Sequence, residues 1–331
     1  MTKLTQLLGI IKDKASQSKA ALLSKRATLS LLRATSHDSF TPPTNKQIST
    51  LLSSGEGSRA TASVVIEVLM DRLQGTNNSA VALKCLIAVH HIINHGSFIL
   101  QDQLSVYPSA GGRNYLNLSN FRHKSDPVSW ELSSWVRWFA QYVEQLLCSS
   151  RILGFFFIAG NSMRRDREER VSGLTNADLL SEFDSLVTLV EGICKIPDLA
   201  SVKGNKLVEE IMNLVHEDWI VTQREVSVGV SEFKERLSCL KFGEAVELVC
   251  CLKRLEECKE RMMMMMLEVE QGQRLWDTVI EVKEKAGMEV YKEEAKVHKA
   301  VRKQRVSESD RFSGRVLNSY DSSMFPSGRL L

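Results

Sequence analysis

An all-α protein is what this sequence predicts, on three grounds. Only six prolines and 18 glycines interrupt 331 residues, of which 43% are hydrophobic, a composition suited to a folded chain rich in helix. The apolar residues recur at helical spacing. Glycine and asparagine punctuate the runs where helices stop and start, as at Gly75, Asn78 and Gly96. Adjacent helix pairs are expected to bury one continuous core.

Residues 1–14 place Leu4, Leu7, Leu8 and Ile11 on one stripe, with Lys3, Lys12 and Lys14 off it. Such a stripe either enters a bilayer interface or packs on the domain. A second helix is expected over Ala20–Ala34, ending in Arg33-Ala34-Thr35-Ser36-His37-Asp38. Pro42-Pro43 forbid its continuation. Thr44-Asn45-Lys46-Gln47 then reads as a capping box that opens the next helix. The start of a helix carries partial positive charge and free N–H groups, so Arg33 and Lys46 beside it suit a phosphate. The same spacing also describes an ordinary helix corner with solvated cations.

Helices follow over Ile48–Leu52, Ala60–Leu73 and Ala80–Asn94, the last apolar nearly all round and so central. Tyr107–Asp126 is irregular. The next helix carries Trp130, Trp135 and Trp138, read as core, and the apolar run Ile152–Gly160 is also assigned to core. Arg164–Arg170 alternates in sign as a solvated connection. Further helices are expected over Asn176–Lys195, Lys206–Arg224 and Val226–Leu237. A long one from about Gly243 to Gln304 follows, with Met262–Met266 as soft core and Gly272 as a bend. A helix of that length either folds back or projects as a coil. The polar tail Ser307–Leu331 is expected to be disordered.

Charge is uneven. The chain carries +3 overall, but residues 1–50 hold eight cations (Lys3, Lys12, Lys14, Lys19, Lys25, Arg26, Arg33, Lys46) against Asp13 and Asp38. A basic end on a nearly neutral body predicts docking on an anionic surface. Seven cysteines (85, 148, 194, 239, 250, 251, 258) without CxxC spacing read as reduced core residues of a cytosolic protein. No apolar run approaches the ~20 residues of a membrane span, and the first residues lack a signal peptide's apolar region.

The corner motif resembles the start of an ANTH domain, the phosphoinositide-binding module of clathrin-assembly proteins. There a pattern of the form K-A-T-[ST]-H-[ED], a turn with proline and then K-x-[KR]-H opens the lipid site, and the paired prolines resemble the plant branch. Arg33 stands at the first basic position and Lys46 at the third, while Thr44 and Gln47 occupy places where Lys and His are expected. Ala82-Leu83-Lys84 with His90-His91 and His95-Gly96 resembles a further family helix. Tyr115–Phe121 resembles its N-L-S-N-F turn, and Trp130 with Trp135-Val136-Arg137 its next helix. The likeness is close over residues 1–150 and looser to about 300.

The resemblance implies an ENTH/ANTH-type right-handed α-solenoid of nine to eleven helices over residues 1–300, with an ENTH-like part to about 150 and later helices over about 175–304. It implies a non-catalytic endocytic adaptor without cofactor, binding phosphatidylinositol bisphosphate through Lys25, Arg26, Arg33, His37, Thr44, Lys46 and Gln47. Clathrin, the adaptor complex and vesicle SNARE proteins are the implied partners. The implied location is the cytoplasmic face of clathrin-coated pits and vesicles, with the Golgi a further one. Longer relatives carry D-P-F, N-P-F or D-L-L peptides in their tails. This tail has none, and Asp178-Leu179-Leu180 falls inside an expected helix. A cargo or SNARE adaptor without direct clathrin binding is therefore the alternative.

Other chemistries find less support. His91 and His95 share a helix face, but no third metal ligand is evident, and the three histidines of this helix read as hydrogen-bonded core. Neither a G-x-S-x-G elbow nor a phosphate-cradling glycine loop is present. A helical nucleic-acid scaffold would rest on Lys292–Arg305, where acidic residues interrupt the cations and no aromatic platform accompanies them.

Overall fold

The computed structural model describes residues 2–22, 26–37, 40–108, 111, 114–124, 127–154, 164–265, 274–293 and 295. These are 82% helical with no strand. The fold is the all-α solenoid expected from the sequence. The described helices number twelve with defined ends, more than the nine to eleven expected, and residues 274–293 form a further one. In chain order they are α1 (Thr2–Leu22), α2 (Arg26–Ala34), α3 (Asn45–Leu52), α4 (Arg59–Gly75), α5 (Ser79–His95) and α6 (Phe98–Ser105). Next come α7 (Pro127–Leu153), α8 (Arg164–Ser172), α9 (Asn176–Cys194) and α10 (Lys206–Arg236). The last are α11 (Phe242–Glu257), α12 (Lys259–Met265) and α13 (274–293).

The central helix is α5, and local chemistry sets both of its ends. The Asn78 side chain accepts from the Val81 N–H at 3.1 Å, filling one of the free donors of the first turn. At the other end Gly96 donates its N–H to the Ile92 carbonyl, which a Cβ at that position would meet at 2.3 Å. Only glycine fits there. Between these ends nearly every side chain is buried, because α3, α4, α7 and α10 surround the helix. The stack continues from α7 to α9 and from α9 to α11. Trp138 of α7 donates from its indole to the Gly192 carbonyl of α9 at 2.9 Å.

One polar knot ties the first part of the stack to the second. Asp218 of α10, 1% exposed, accepts from the Tyr142 hydroxyl (2.7 Å) and the Asn94 amide (2.8 Å) and bonds His90 Nε2 at 2.7 Å. Burial and the Asp218 carboxylate push the Tyr142 phenol well above its ordinary pKa, so it stays a donor. His90 is thus the bonded core histidine the sequence suggests. The other two differ, with His91 half-buried and His95 exposed.

Several boundaries depart from the sequence reading. Residues 206–236 are one helix rather than two, since nothing between Arg224 and Val226 breaks it. Residues 164–172 are helical, with Arg167 and Arg170 paired to Glu225 and Arg170 to Glu182. The long helix expected from Gly243 is cut at Cys258, which ends α11. Residues 274–293 then fold back, with Lys283 on Glu256 (2.5 Å) and Lys234 on Glu281 (2.8 Å). Met262 is buried whereas Met263 and Met264 are exposed, and so is Trp130. Cys148, Cys239 and Cys250 are exposed free thiols rather than core. The apolar residues 155–160, Met266, Gly272 and the tail 307–331 lie outside the described residues.

Removal of the Asp218 carboxylate takes from His90, Tyr142 and Asn94 their shared partner in the core. Asp218→Ala is therefore expected to lower stability by about 3–5 kcal/mol, read as a fall in the urea midpoint.

Candidate functional site

The corner after α2 is held by side chains from four other helices. A helix leaves its last four carbonyls without intrahelical partners, and here Leu31, Leu32 and Arg33 find one. The Leu31 carbonyl accepts from the Thr35 N–H (3.0 Å) and hydroxyl (2.8 Å). Leu32 O takes the Gln17 amide of α1 at 3.4 Å, and Arg33 O takes the Gln47 amide of α3 at 3.3 Å. Just beyond the helix, Thr35 O accepts two bonds from the Arg72 guanidinium of α4 (3.2 and 2.6 Å). Ser36 O accepts from the Lys84 ammonium of α5 at 2.9 Å.

Asp13 of α1 completes this arrangement from beneath. One carboxylate oxygen takes Arg72 at 2.7 Å, and the other takes both the His37 N–H and His37 Nδ1 at 2.7 Å. Burial alone would raise the Asp13 pKa, but the bonds from His37 and Arg72 outweigh it and hold it at about 2. The chain approaches closely at this point. A Cβ on Gly9 would stand 2.8 Å from the His37 ring, so α1 lies against His37 through its glycine.

As a result α1 packs by its polar side. Asp13 is buried and Gly9, Ile10 and Gln17 are half-buried, whereas Leu7, Leu8 and Ile11 are 55%, 51% and 61% exposed. The side chain of Leu4 lies outside the described ones. Leu7, Leu8 and Ile11 therefore do not pack into the domain core.

The expected ligand set divides in two. Arg33 and Lys46 are exposed, and among the described residues neither has an ion-pair partner. The bond from Gln47 to the Arg33 carbonyl brings the last turn of α2 against the first turn of α3. Thr44, Gln47 and His37 are instead engaged internally. Thr44 accepts from the Gln47 N–H at 3.4 Å, and Gln47 Oε1 accepts from the Thr44 N–H (2.8 Å) and hydroxyl (3.0 Å). The capping box read from the sequence is present, and it leaves Gln47 with each end of its amide in use. Lys25 and the side chain of Arg26 lie outside the described residues.

Sequence reasoning missed Asp13, Arg72 and the role of Lys84. Lys84 carried a signal, since a lone cation in a helix apolar all round needs a buried acceptor. Asp13, between Lys12 and Lys14, did not stand out from a solvated face.

The histidines of α5 form no centre. The His91 and His95 rings stand 5.9 Å apart. Burial first, and then His90 and His95, lower the His91 pKa to about 4, so it is neutral near pH 7. Among the described residues no group of three His, Cys, Asp or Glu could hold a metal ion. Nor is any described helix long and apolar enough to cross a membrane.

The ANTH domain model matches residues 27–264, and the chain belongs to that family. It is 47% identical, over 99% of its length and 94% of the relative's, to the Arabidopsis thaliana protein named "Putative clathrin assembly protein At4g40080". A second relative from the same plant, "Putative clathrin assembly protein At5g10410", is 32% identical over 77% of this chain and 78% of its own.

The Asp13 carboxyl sits below its ordinary value of 3.8, at about 2. The stability it contributes is therefore present above pH 4 and is lost as pH falls towards 2. The advantage of the wild type over Asp13→Asn in urea unfolding is expected to be full at neutral pH and to shrink across that window. A pH-independent difference would show that the ion pairs do not hold α1.

Proposed function

We propose that the protein is a non-catalytic endocytic adaptor that reads phosphoinositide-bearing membrane through α1 and the α2–α3 corner. One observation carries this reading: α1 buries its aspartate and turns its leucine stripe to solvent. A surface stripe of that kind is costly in water and is stabilised when it enters a bilayer interface. The corner that α1 packs against carries Arg33 and Lys46, exposed and without ion-pair partners among the described residues. Cations so placed add roughly 1 kcal/mol each near an anionic leaflet. Thr44, Gln47 and His37 position the corner, and the headgroup phosphates meet Arg33 and Lys46, with Lys25 and Arg26 completing the basic surface.

The names of the relatives support coupling of this membrane contact to clathrin coat assembly at coated pits and vesicles. An adaptor complex and vesicle SNARE proteins are proposed as partners on the family resemblance. The D-L-L sequence at 178–180 is not a route to clathrin, because Leu179 and Leu180 are 2% and 1% exposed and held in the first turns of α9. That burial favours a second reading, a membrane cargo adaptor without direct clathrin binding. Clathrin pull-down with the full chain separates the two.

Vesicle sedimentation tests the membrane reading. On phosphatidylcholine vesicles doped with phosphatidylinositol bisphosphate, Arg33→Gln with Lys46→Gln is expected to weaken pelleting about thirtyfold, two cations being worth about 2 kcal/mol. Leu8→Ser with Ile11→Ser should also weaken it, without loss of helical circular dichroism. Equal pelleting on undoped vesicles would sink the proposal.

A further inference from the structure

The segment leading into α7 brings two arginines side by side. Arg122 donates to the carbonyls of Phe121 (2.7 Å) and Ser119 (3.2 Å), and Arg137 of α7 donates to the same Phe121 carbonyl at 3.0 Å. Two guanidiniums thus share one neutral oxygen, and among the described residues neither meets a carboxylate. Burial first, and the Arg122 charge second, lower the Arg137 pKa. Like charges held this close repel, and an anion between them would turn that repulsion into charge-assisted hydrogen bonds.

The same face of α7 presents an aromatic ring that the core does not use. Trp130 is 51% exposed, whereas Trp135, Trp138, Trp219 and Trp276 are at 6% or less. Trp130 and Arg137 are seven residues apart, close to two helical turns, so they lie on one stripe about 10.5 Å from each other. Half-buried Ser134 lies between them. Tryptophan and arginine are the residues in which interface energy concentrates.

We propose that this stripe docks an extended acidic peptide, with a carboxylate between Arg122 and Arg137 and an apolar side chain over Trp130. An extended chain advances about 3.3 Å per residue, so the two anchors lie about three residues apart in the ligand. The pattern recognised is a bulky apolar residue with Asp or Glu three positions away. A peptide fits better than a bilayer because both cations are pinned to one carbonyl at a fixed distance from one ring. A fluid leaflet offers no such spacing. The α2–α3 connection lies close by, since Phe40 and Thr41 line one pocket with Val128 of α7, but the site uses none of the residues assigned to the membrane reading.

Trp130 is itself the reporter, being the exposed member of the five tryptophans. The full chain is titrated with a synthetic ten-residue peptide containing Phe-Ser-Ser-Asp-Asp, and with the same peptide carrying Asn for Asp. Saturable protection of tryptophan emission from acrylamide is expected with the first peptide and not with the second. By anisotropy of the labelled peptide, Arg122→Gln with Arg137→Gln is expected to raise Kd about tenfold or more, and Trp130→Ala likewise. The arginines also hold the Phe121 turn, so Trp130→Ala, an exposed position, decides the matter if the double variant unfolds. Absence of saturable binding, or unchanged binding by Trp130→Ala, overturns the proposal. Both variants should pellet with bisphosphate vesicles as the wild type does. Loss of pelleting with peptide binding intact would make the face a bilayer contact and overturn the peptide.

Discussion

The carboxylate of Asp13 is the constraint from which the functional end of this molecule follows. It is buried, and it stays ionised because Arg72 and His37 both hold it. Arg72 in turn grips the Thr35 carbonyl, so one ion pair links α1, the corner and α4. An uncompensated charge at that depth would be strongly destabilising. Among the described side chains of α1 the buried one is this aspartate, so charge pairing holds the helix here. That is why its leucines are free to face outward.

A similar device recurs deeper in the stack. Asp218 gathers donors from α5 and α7 at a point where apolar packing alone would tolerate sliding of one helix on another. Bonds of fixed length and direction define one register between the helices they join. The first polar knot fixes the end proposed to meet the membrane, and the second keeps the later helices in step with it. Between them runs α5, which reaches the corner through Lys84 and the Asp218 knot through His90 and Asn94.

Charge that is not paired internally marks the surfaces available to partners. Most cations of the later helices are spoken for, as with Arg254 on Asp184 and Glu191, or Arg236 on Glu232 and on the carbonyls of the α8–α9 turn. Arg33 and Lys46 at the corner and the Arg122–Arg137 pair beside α7 differ from these in having no acid within reach among the described residues. At each place an apolar side chain stands exposed nearby, the leucines of α1 in one case and Trp130 in the other.

From the sequence alone came the all-helical class, the turn at Pro42-Pro43, the Thr44–Gln47 capping box, the Asn78 and Gly96 limits of α5 and the basic first 50 residues. Each of these is local, decided by backbone stereochemistry or by side chains three or four residues apart. Tertiary structure alone decided that Gln47 and His37 are braces, that Trp130 lies outside the core, and that 206–236 forms one helix while the stretch after Gly243 breaks at Cys258. It also decided which way α1 faces. An amphipathic pattern specifies that two faces differ, but the side turned inward depends on what waits there. In this protein Arg72 and His37 wait there, 59 and 24 residues away in the chain, and a pairing at that distance leaves no periodic trace.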